Sequence, residues 1–306
     1  MFPIPWNKTY RKKDGSLVNI DDAISGGGSG SDIPEHSASD AGKVLTVADD
    51  GTLEWHTGGA GGGLYRGTTP PAASLGSDGD VYIQSYTPGI ISNSGEGYVK
   101  TGVKPNAGYT IKVSVKTNSS STNYETIFGT RNSNYSRFTA RFTNTPNGAL
   151  GAQWSNGAGH TSSNTTDYPS LTKGSMASDF TEVGLQYMGY MLVDGKIVAR
   201  NGSSSVANYD PFPYEWYLLA LNDADTSSDY LVGSIEYCKI YDEDDDVVAF
   251  LVPAMNEEIP TMYDLLSGTF CDSENTSDLT VTLSNEEVEG LYWTKVSGSW
   301  VVVTAR

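Results

Sequence analysis

Cysteine is nearly absent: Cys238 and Cys271 are the only two in 306 residues, far too few for a disulfide scaffold. Cys238 stands in an apolar strand pattern and reads as a small core residue, and the sequence leaves pairing of the two open. Basic residues are also scarce, with 19 Lys and Arg against 37 Asp and Glu and a formal net charge of −18, so a general grip on nucleic acid is excluded by shortage of phosphate-binding cations. No apolar run is long enough to span a membrane. The opening MFPIPWNKTYRKK has no apolar h-region, which implies synthesis in a cytoplasm without a secretory leader. Histidine occurs only at His36, His56 and His160, none at ligand spacing from a Cys or another His, so neither zinc nor triad chemistry is indicated. No glycine-rich loop leads from a strand into a helix, and no long stretch shows helical i, i+3, i+4, i+7 spacing. No cofactor is implied.

What is present is turn chemistry and aromatic residues. Gly reaches 34, and 19 Tyr and 6 Trp accompany many Ser, Thr and Asn, a mixture suited to short strands with polar outer faces. The strand candidates recur at regular intervals: residues 97–103, 109–117, 124–130, 136–143, 149–155, 180–187, 189–199, 214–223 and 231–242. In TIKVSVK, Ile111, Val113 and Val115 face one way and Lys112, Ser114 and Lys116 the other; in SRFTARF, Phe138 and Ala140 oppose Arg137 and Thr139. One face of each strand is apolar and the other polar, the mark of antiparallel sheets packed face to face. Asp194-Gly195 reads as a hairpin turn. The expectation is an all-β protein built on an antiparallel β-sandwich, carried by a short fibrous β stem with an extended N-terminal anchor.

Composition divides the chain further. Residues 1–24 form a head with Pro3, Pro5, Trp6 and Tyr10, and Lys8, Arg11, Lys12 and Lys13 put four cations and no acid in its first thirteen residues. A basic head on an acidic body suggests a docking peptide, with a merely solvated terminus as the alternative. Residues 25–33 and 58–63 read as glycine linkers, and residues 34–57 as a hairpin module with strands around Val44, Leu45, Val47, Leu53 and Trp55 and a turn at Asp49-Asp50-Gly51. A lone hairpin is marginal in water, so this one needs partners, which three copies about a shared axis would supply.

Pro34, Asp40-Ala41-Gly42-Lys43-Val44-Leu45, Asp50-Gly51 and Trp55 together resemble a short module that recurs in bacteriophage head-fibre and tail-fibre proteins. Gly67 to Ile83, GTTPPAASLGSDGDVYI, and Tyr292 to Val303, YWTKVSGSWVVV, resemble two adjacent strands of the same kind of protein. On that resemblance, residues 64–85 and 291–306 form one discontinuous stem hairpin with residues 86–290 inserted in its loop; two unrelated strands of one large sandwich are the alternative. Loop tips tolerate such insertions because the ends of the inserted domain lie close together.

The segments 98–113, 125–132, 193–196 and 232–254, followed by MYDLLSGTFC (262–271) with its YD-x-x-x-G-x-F pattern, resemble the concanavalin A-like, laminin-G-like jelly-roll family. That resemblance implies the fold and not one function, since lectins, adhesion modules and glycosidases share it. The Glu-x-Asp-x-x-Glu carboxylate pattern of its glycosidases is missing; Glu236 and Asp242 lie six apart, on one strand face by parity, without the central acid. Asp242, Asp244 and Asp246 could supply calcium ligands, although a charge run of this kind usually marks a solvated turn.

A sugar-binding surface needs aromatic faces with Asn, Asp and Arg beside them. Arg131, Asn132, Tyr135, Arg137, Trp154 and Tyr168 are the candidate carbohydrate-binding residues, with Trp154 as a core residue the competing assignment. Trp6, Lys8, Tyr10, Arg11, Lys12 and Lys13 are the candidate virion-anchoring residues. The resemblances imply a structural fibre or spike on a virion surface, not an enzyme. Its expected partners are other virion proteins, a host-surface glycan and two further copies of itself, with no membrane insertion. The alternatives are a capsid-decorating fibre without a specific ligand and, less favoured, a glycan hydrolase.

Overall fold

The computed structural model describes residues 9–11, 17–19, 43–47, 53–57, 63–118, 123–132, 136–144, 148–156, 164–186, 189–200 and 212–303. For residues 9–57 in this set, and for 132, 136–137, 154–156 and 164–169, the backbone alone is described. The chain divides into two compact units. One takes the described residues as far as Tyr65 with Ala73–Tyr82 and Thr294–Val301; the other takes Arg66–Ala72 and Ile83–Trp293, with Val302 onward.

The larger unit is an all-β sandwich, set by the alternation of apolar and polar residues along its strands. Its first sheet runs in the order Asn164–Thr172, Ala149–Asn156, Ser136–Phe142, Glu125–Asn132, Tyr217–Leu218, Tyr98–Lys100, Ser273–Glu274. Its second runs Lys196–Arg200, Tyr190–Val193, Thr181–Gln186, Thr110–Thr117, Gly233–Tyr241, Val247–Asn256, Ile259–Asp264, Thr269–Phe270. Among these, Asn164–Thr172 and Ile259–Asp264 lie outside the strands expected from sequence, as do Gly89–Asn93 and Leu279–Leu283, which pair with each other.

Ile111, Val113 and Val115 share one core with Phe138, Ala140, Phe142, Leu150 and Trp216, each without solvent exposure. Burial of each such aliphatic or aromatic side chain contributes about 1.5–3 kcal/mol. Cys238 is buried in that core as well; it and Cys271 are free thiols. Thr139, on the polar side of its strand by parity, is also buried, so the face of the first sheet turned away from the core is itself covered at that point. The Asp194-Gly195 turn has φ of 47° and 72°, the double left-handed geometry of a tight hairpin.

The single strand expected over 214–223 is instead two, Tyr217–Leu218 and Leu221–Asp223. Between them Leu219 adopts φ of 66°, a costly conformation for a leucine that no local residue announces. Tertiary hydrogen bonds impose it: Leu219 N donates to Ile127 O at 2.8 Å and Leu231 N donates to Leu219 O at 2.8 Å.

Elsewhere Thr9–Arg11 pairs antiparallel with Leu17–Asn19, and Lys43–Val47 with Leu53–Thr57, Leu45 standing opposite Trp55. Leu64–Gly67, Val81–Tyr86, Val288–Val296 and Ser299–Val302 form a four-stranded sheet in which Val288–Val296 neighbours Val81–Tyr86.

In the smaller unit the Ser77-Asp78-Gly79-Asp80 stretch is a polar knot. Asp80, 5% exposed, accepts from Gly63 N and Ser77 N, each at 2.7 Å. Gly79 N donates to Lys295 O at 2.8 Å, and Gly298 N to Asp78 Oδ1 at 2.6 Å. Lys295, 6% exposed, gives its ammonium to the carbonyls of Ala73, Leu75 and Gly76 at 2.8, 2.7 and 3.0 Å. Tyr65 and Tyr82 meet Trp300 edge to face.

Candidate functional site

The strand Ser136–Phe142 sends Phe138, Ala140 and Phe142 into the core, which turns position 141 to the opposite face. There the Arg141 guanidinium lies 4.3 Å from the centroid of the Tyr124 ring and 3.9 Å from the Asp229 carboxylate. Tyr124, just before the neighbouring strand, is 38% exposed. Asp229 is held by a turn with φ of 50°, its carbonyl accepting from Thr126 N at 2.8 Å. Tyr124 and Asp229 border a cavity of about 510 Å³, lined also by Asn123, Glu125, Asn144 and Tyr230 among others. Tyr230 is backed by the stacked rings of Tyr98 and Tyr217, whose centroids are 4.7 Å apart, and burial pushes the Tyr217 hydroxyl up to about 12.

Glu125 is 2% exposed and pairs with the equally buried Lys173 at 3.0 Å; Lys173 Nζ also donates to Asn123 O at 2.8 Å. The pair fixes the backbone at the cavity's edge. Thr126 Oγ1, Thr139 Oγ1 and Arg131 Nε are buried with no hydrogen-bond partner among the described residues. Buried polar atoms of this kind want hydroxyls or water.

Of the residues chosen from sequence, Arg131 is on the same strand as Glu125 and pairs with Asp223 on the parallel neighbour Leu221–Asp223. The hydrogen bond to Asp223 raises the guanidinium above its ordinary value. Register sets Arg131 opposite Arg137, Trp154 opposite Phe138, and Tyr168 opposite Leu150. The side chains of Asn132, Arg137, Trp154 and Tyr168 lie outside the described residues, as does Tyr135 altogether. Trp6, Lys8, Lys12 and Lys13 also lie outside them, and Tyr10 and Arg11 are described in backbone only. Sequence reasoning missed Asn123, Tyr124, Arg141, Asn144, Asp229 and Tyr230. The usable signal was Arg141 on the polar side of SRFTARF, alternating with three core residues.

Two of the acids singled out from sequence are committed to turns. Asp264 of the YD-x-x-x-G-x-F segment accepts from Phe250 N and Leu266 N at 3.0 and 3.1 Å, and from Ser267 N at 3.1 Å, organising a turn that Gly268 closes with φ of 73°. Asp242 Oδ1 accepts from Asp244 N and Asp246 N at 3.0 and 2.9 Å, so the acidic run caps its own turn. Glu236 occupies a bulge between Ile235 and Tyr237, which breaks the parity that put it on one face with Asp242. Glu215 lines a second cavity of about 360 Å³ and is raised by burial, against the hydrogen bond from Gly102 N at 2.5 Å. Among the described residues no group of three His, Cys, Asp or Glu is placed to hold a metal ion, and no helix is long and apolar enough to cross a membrane.

No protein-family model matches the sequence, and no curated protein matches it. Solved structures do. The CBM40 domain of the Ruminococcus gnavus IT-sialidase bound to α2,3-sialyllactose is 21% identical with a TM-score of 0.40, over 54% of this chain and 92% of that one. The leech intramolecular trans-sialidase with 2,7-anhydro-Neu5Ac is 18% identical with a TM-score of 0.39, over 61% and 28%. The binding domain of botulinum neurotoxin DC with rat synaptotagmin II is 10% identical with a TM-score of 0.32, over 86% and 73%. At these TM-scores they carry no argument about what this chain does.

Proposed function

We propose that the chain is a fibre or spike protein of a bacteriophage, exposed on the virion surface, whose β-sandwich binds a glycan of the host surface. The observation that carries the binding half is the cavity beside Tyr124. It combines a partly exposed ring, with Arg141 over one face, with amide and carboxylate groups from Asn123, Asn144 and Asp229, the chemistry that covers the apolar side of a pyranose and bonds its hydroxyls. Of the residues chosen from sequence, Arg131 and Arg137 stand opposite each other on the same sheet and extend this proposed surface, whereas Trp154 and Tyr168 stand opposite the core residues Phe138 and Leu150. The fibre half is supported by the phage-type modules at residues 34–57 and 67–83. It is supported further by the neighbouring strands Val81–Tyr86 and Val288–Val296, whose connecting chain contains the sandwich. Trp6, Lys8, Tyr10, Arg11, Lys12 and Lys13 would dock the head onto another virion protein, and a homotrimer would supply avidity for weak single sites.

Retention of the full chain on immobilised host envelope polysaccharide tests the reading. The intact protein is expected to bind, and Tyr124→Ala to weaken binding about tenfold, as loss of one stacking ring does. No retention on any envelope fraction would favour a capsid-decorating fibre without a ligand. Release of reducing ends would replace binding by hydrolysis.

A further inference from the structure

Each sheet sets two cations opposite one another, Arg131 and Arg137 on the first and Lys112 and Lys239 on the second, and the two differ in what relieves them. Thr110–Thr117 and Gly233–Tyr241 pair antiparallel, and the register sets Lys112 directly opposite Lys239. Their strand neighbours Ile111, Val113, Cys238 and Ile240 are fully buried in the core, so alternation turns both lysines to the other face. Like charges at directly opposed positions destabilise a sheet. A chain with 37 acids has carboxylates to relieve them. On the first sheet that relief is present: Arg131 pairs with Asp223, Arg141 with Asp229 and Lys100 with Glu274.

Neither Lys112 nor Lys239 makes a salt bridge among the described residues. Lys112 Nζ instead lies 4.9 Å from the Tyr241 ring centroid, and Lys239 Nζ lies 4.5 Å from Phe250 and 5.2 Å from Tyr237. Lys116, farther along the first of the two strands, is 6.0 Å from the Phe180 ring. The two acids on this face are taken up by hydroxyls, Glu182 accepting from Tyr237 at 2.9 Å and Glu236 from Ser114 at 2.7 Å. Burial holds Lys239 below the usual lysine range; Glu182 opposes that shift, and Lys112 adds a smaller push the same way as burial. An anion shared by the two ammonium groups would offset the repulsion between them.

We propose that this face is a second binding site for a carboxylate-bearing saccharide, the carboxylate held between Lys112 and Lys239 and the sugar ring laid along Tyr237 and Tyr241. The tyrosines flank Lys239 at two-residue spacing on one strand, about 7 Å to either side, which suits a pyranose rather than a bare anion. The saccharide half rests on the glycan-binding reading above; the anion half rests on the lysines alone.

The test is calorimetric titration of the full chain with a galacturonate oligomer, a glucuronate oligomer and α2,3-sialyllactose, each against its methyl ester. At least one acid form is expected to bind and to lose about tenfold in affinity on esterification, since a charge-assisted contact is removed. Lys112→Gln and Lys239→Gln are each expected to bring the acid form to the level of the ester without lowering the melting temperature, whereas a purely structural lysine would lower it. Tyr124→Ala, in the cavity of the first sheet, is expected to weaken neutral-glycan binding and leave acid binding intact; a wild-type chain that binds the acid form but no neutral glycan would count against the earlier reading and not this one. Equal binding of acid and ester, binding by neither, or glutamine variants that match the wild type would overturn the proposal. So would displacement of the saccharide by an equimolar amount of inorganic phosphate.

Discussion

Two buried lysines contrast the two units. In the sandwich, Lys173 is fully buried against the Glu125 carboxylate, with a large apolar core beside it. In the smaller unit, Lys295 is nearly as buried but gives its ammonium to three backbone carbonyls of the 73–76 turn, and the Asp80 carboxylate accepts from the backbone N–H groups of Gly63 and Ser77. The sandwich can hold an ion pair because hydrophobic burial carries its stability. The smaller unit has Tyr65, Tyr82 and Trp300 as its ring cluster, so its polar side chains act as the clamps that fix turns against strands.

The sharpest way to break this comparison is to remove one half of each arrangement. Lys173→Met removes the cation from the Glu125 carboxylate, which is 2% exposed, and a loss of about 3–5 kcal/mol is expected in urea unfolding monitored on the sandwich. Replacing both partners by apolar residues should recover most of it; a single-variant loss below about 1 kcal/mol would mean that water already reaches the pair.

Asp80→Ala comes next. It orphans the N–H groups of Gly63 and Ser77, at about 1–3 kcal/mol each where they stay buried. Hydrogen exchange should quicken in 73–82 and 294–301 while the sandwich strands keep their protection. Equal loss in both would show one cooperative structure rather than two.

The smallest effect concerns Glu215. Burial raises its folded pKa above the ordinary 4.5, so the native state binds the proton more tightly than the unfolded state does. Stability is therefore fullest below about pH 4.5 as far as this group is concerned, and falls as pH rises through the folded value. Glu215→Gln is expected to flatten the melting temperature over that window by about a degree or two. An unchanged slope would assign the pH dependence elsewhere.

Much of the sandwich was legible because the strand period is two, and TIKVSVK and SRFTARF declare their core faces in seven residues each. The Asp194-Gly195 turn was legible because few other pairs accept two positive φ values. The break at Leu219 was not, since only contacts with Ile127 and Leu231 impose it. The candidate cavity was not legible: among the described residues none of those chosen from sequence lines it, and Tyr124, Asn144 and Asp229 come from three separated segments that no local pattern joins. The six-residue spacing of Glu236 and Asp242 misled because a bulge resets parity.

By itself, then, the sequence determined an all-β chain, the faces of its longer strands and the turns between them, because alternation and turn geometry are local properties of the backbone. Within the sandwich, tertiary structure alone decided which strands are neighbours. That choice sets Lys112 opposite Lys239 and brings Arg141 to Asp229. Register is a long-range property, fixed by which apolar faces bury one another.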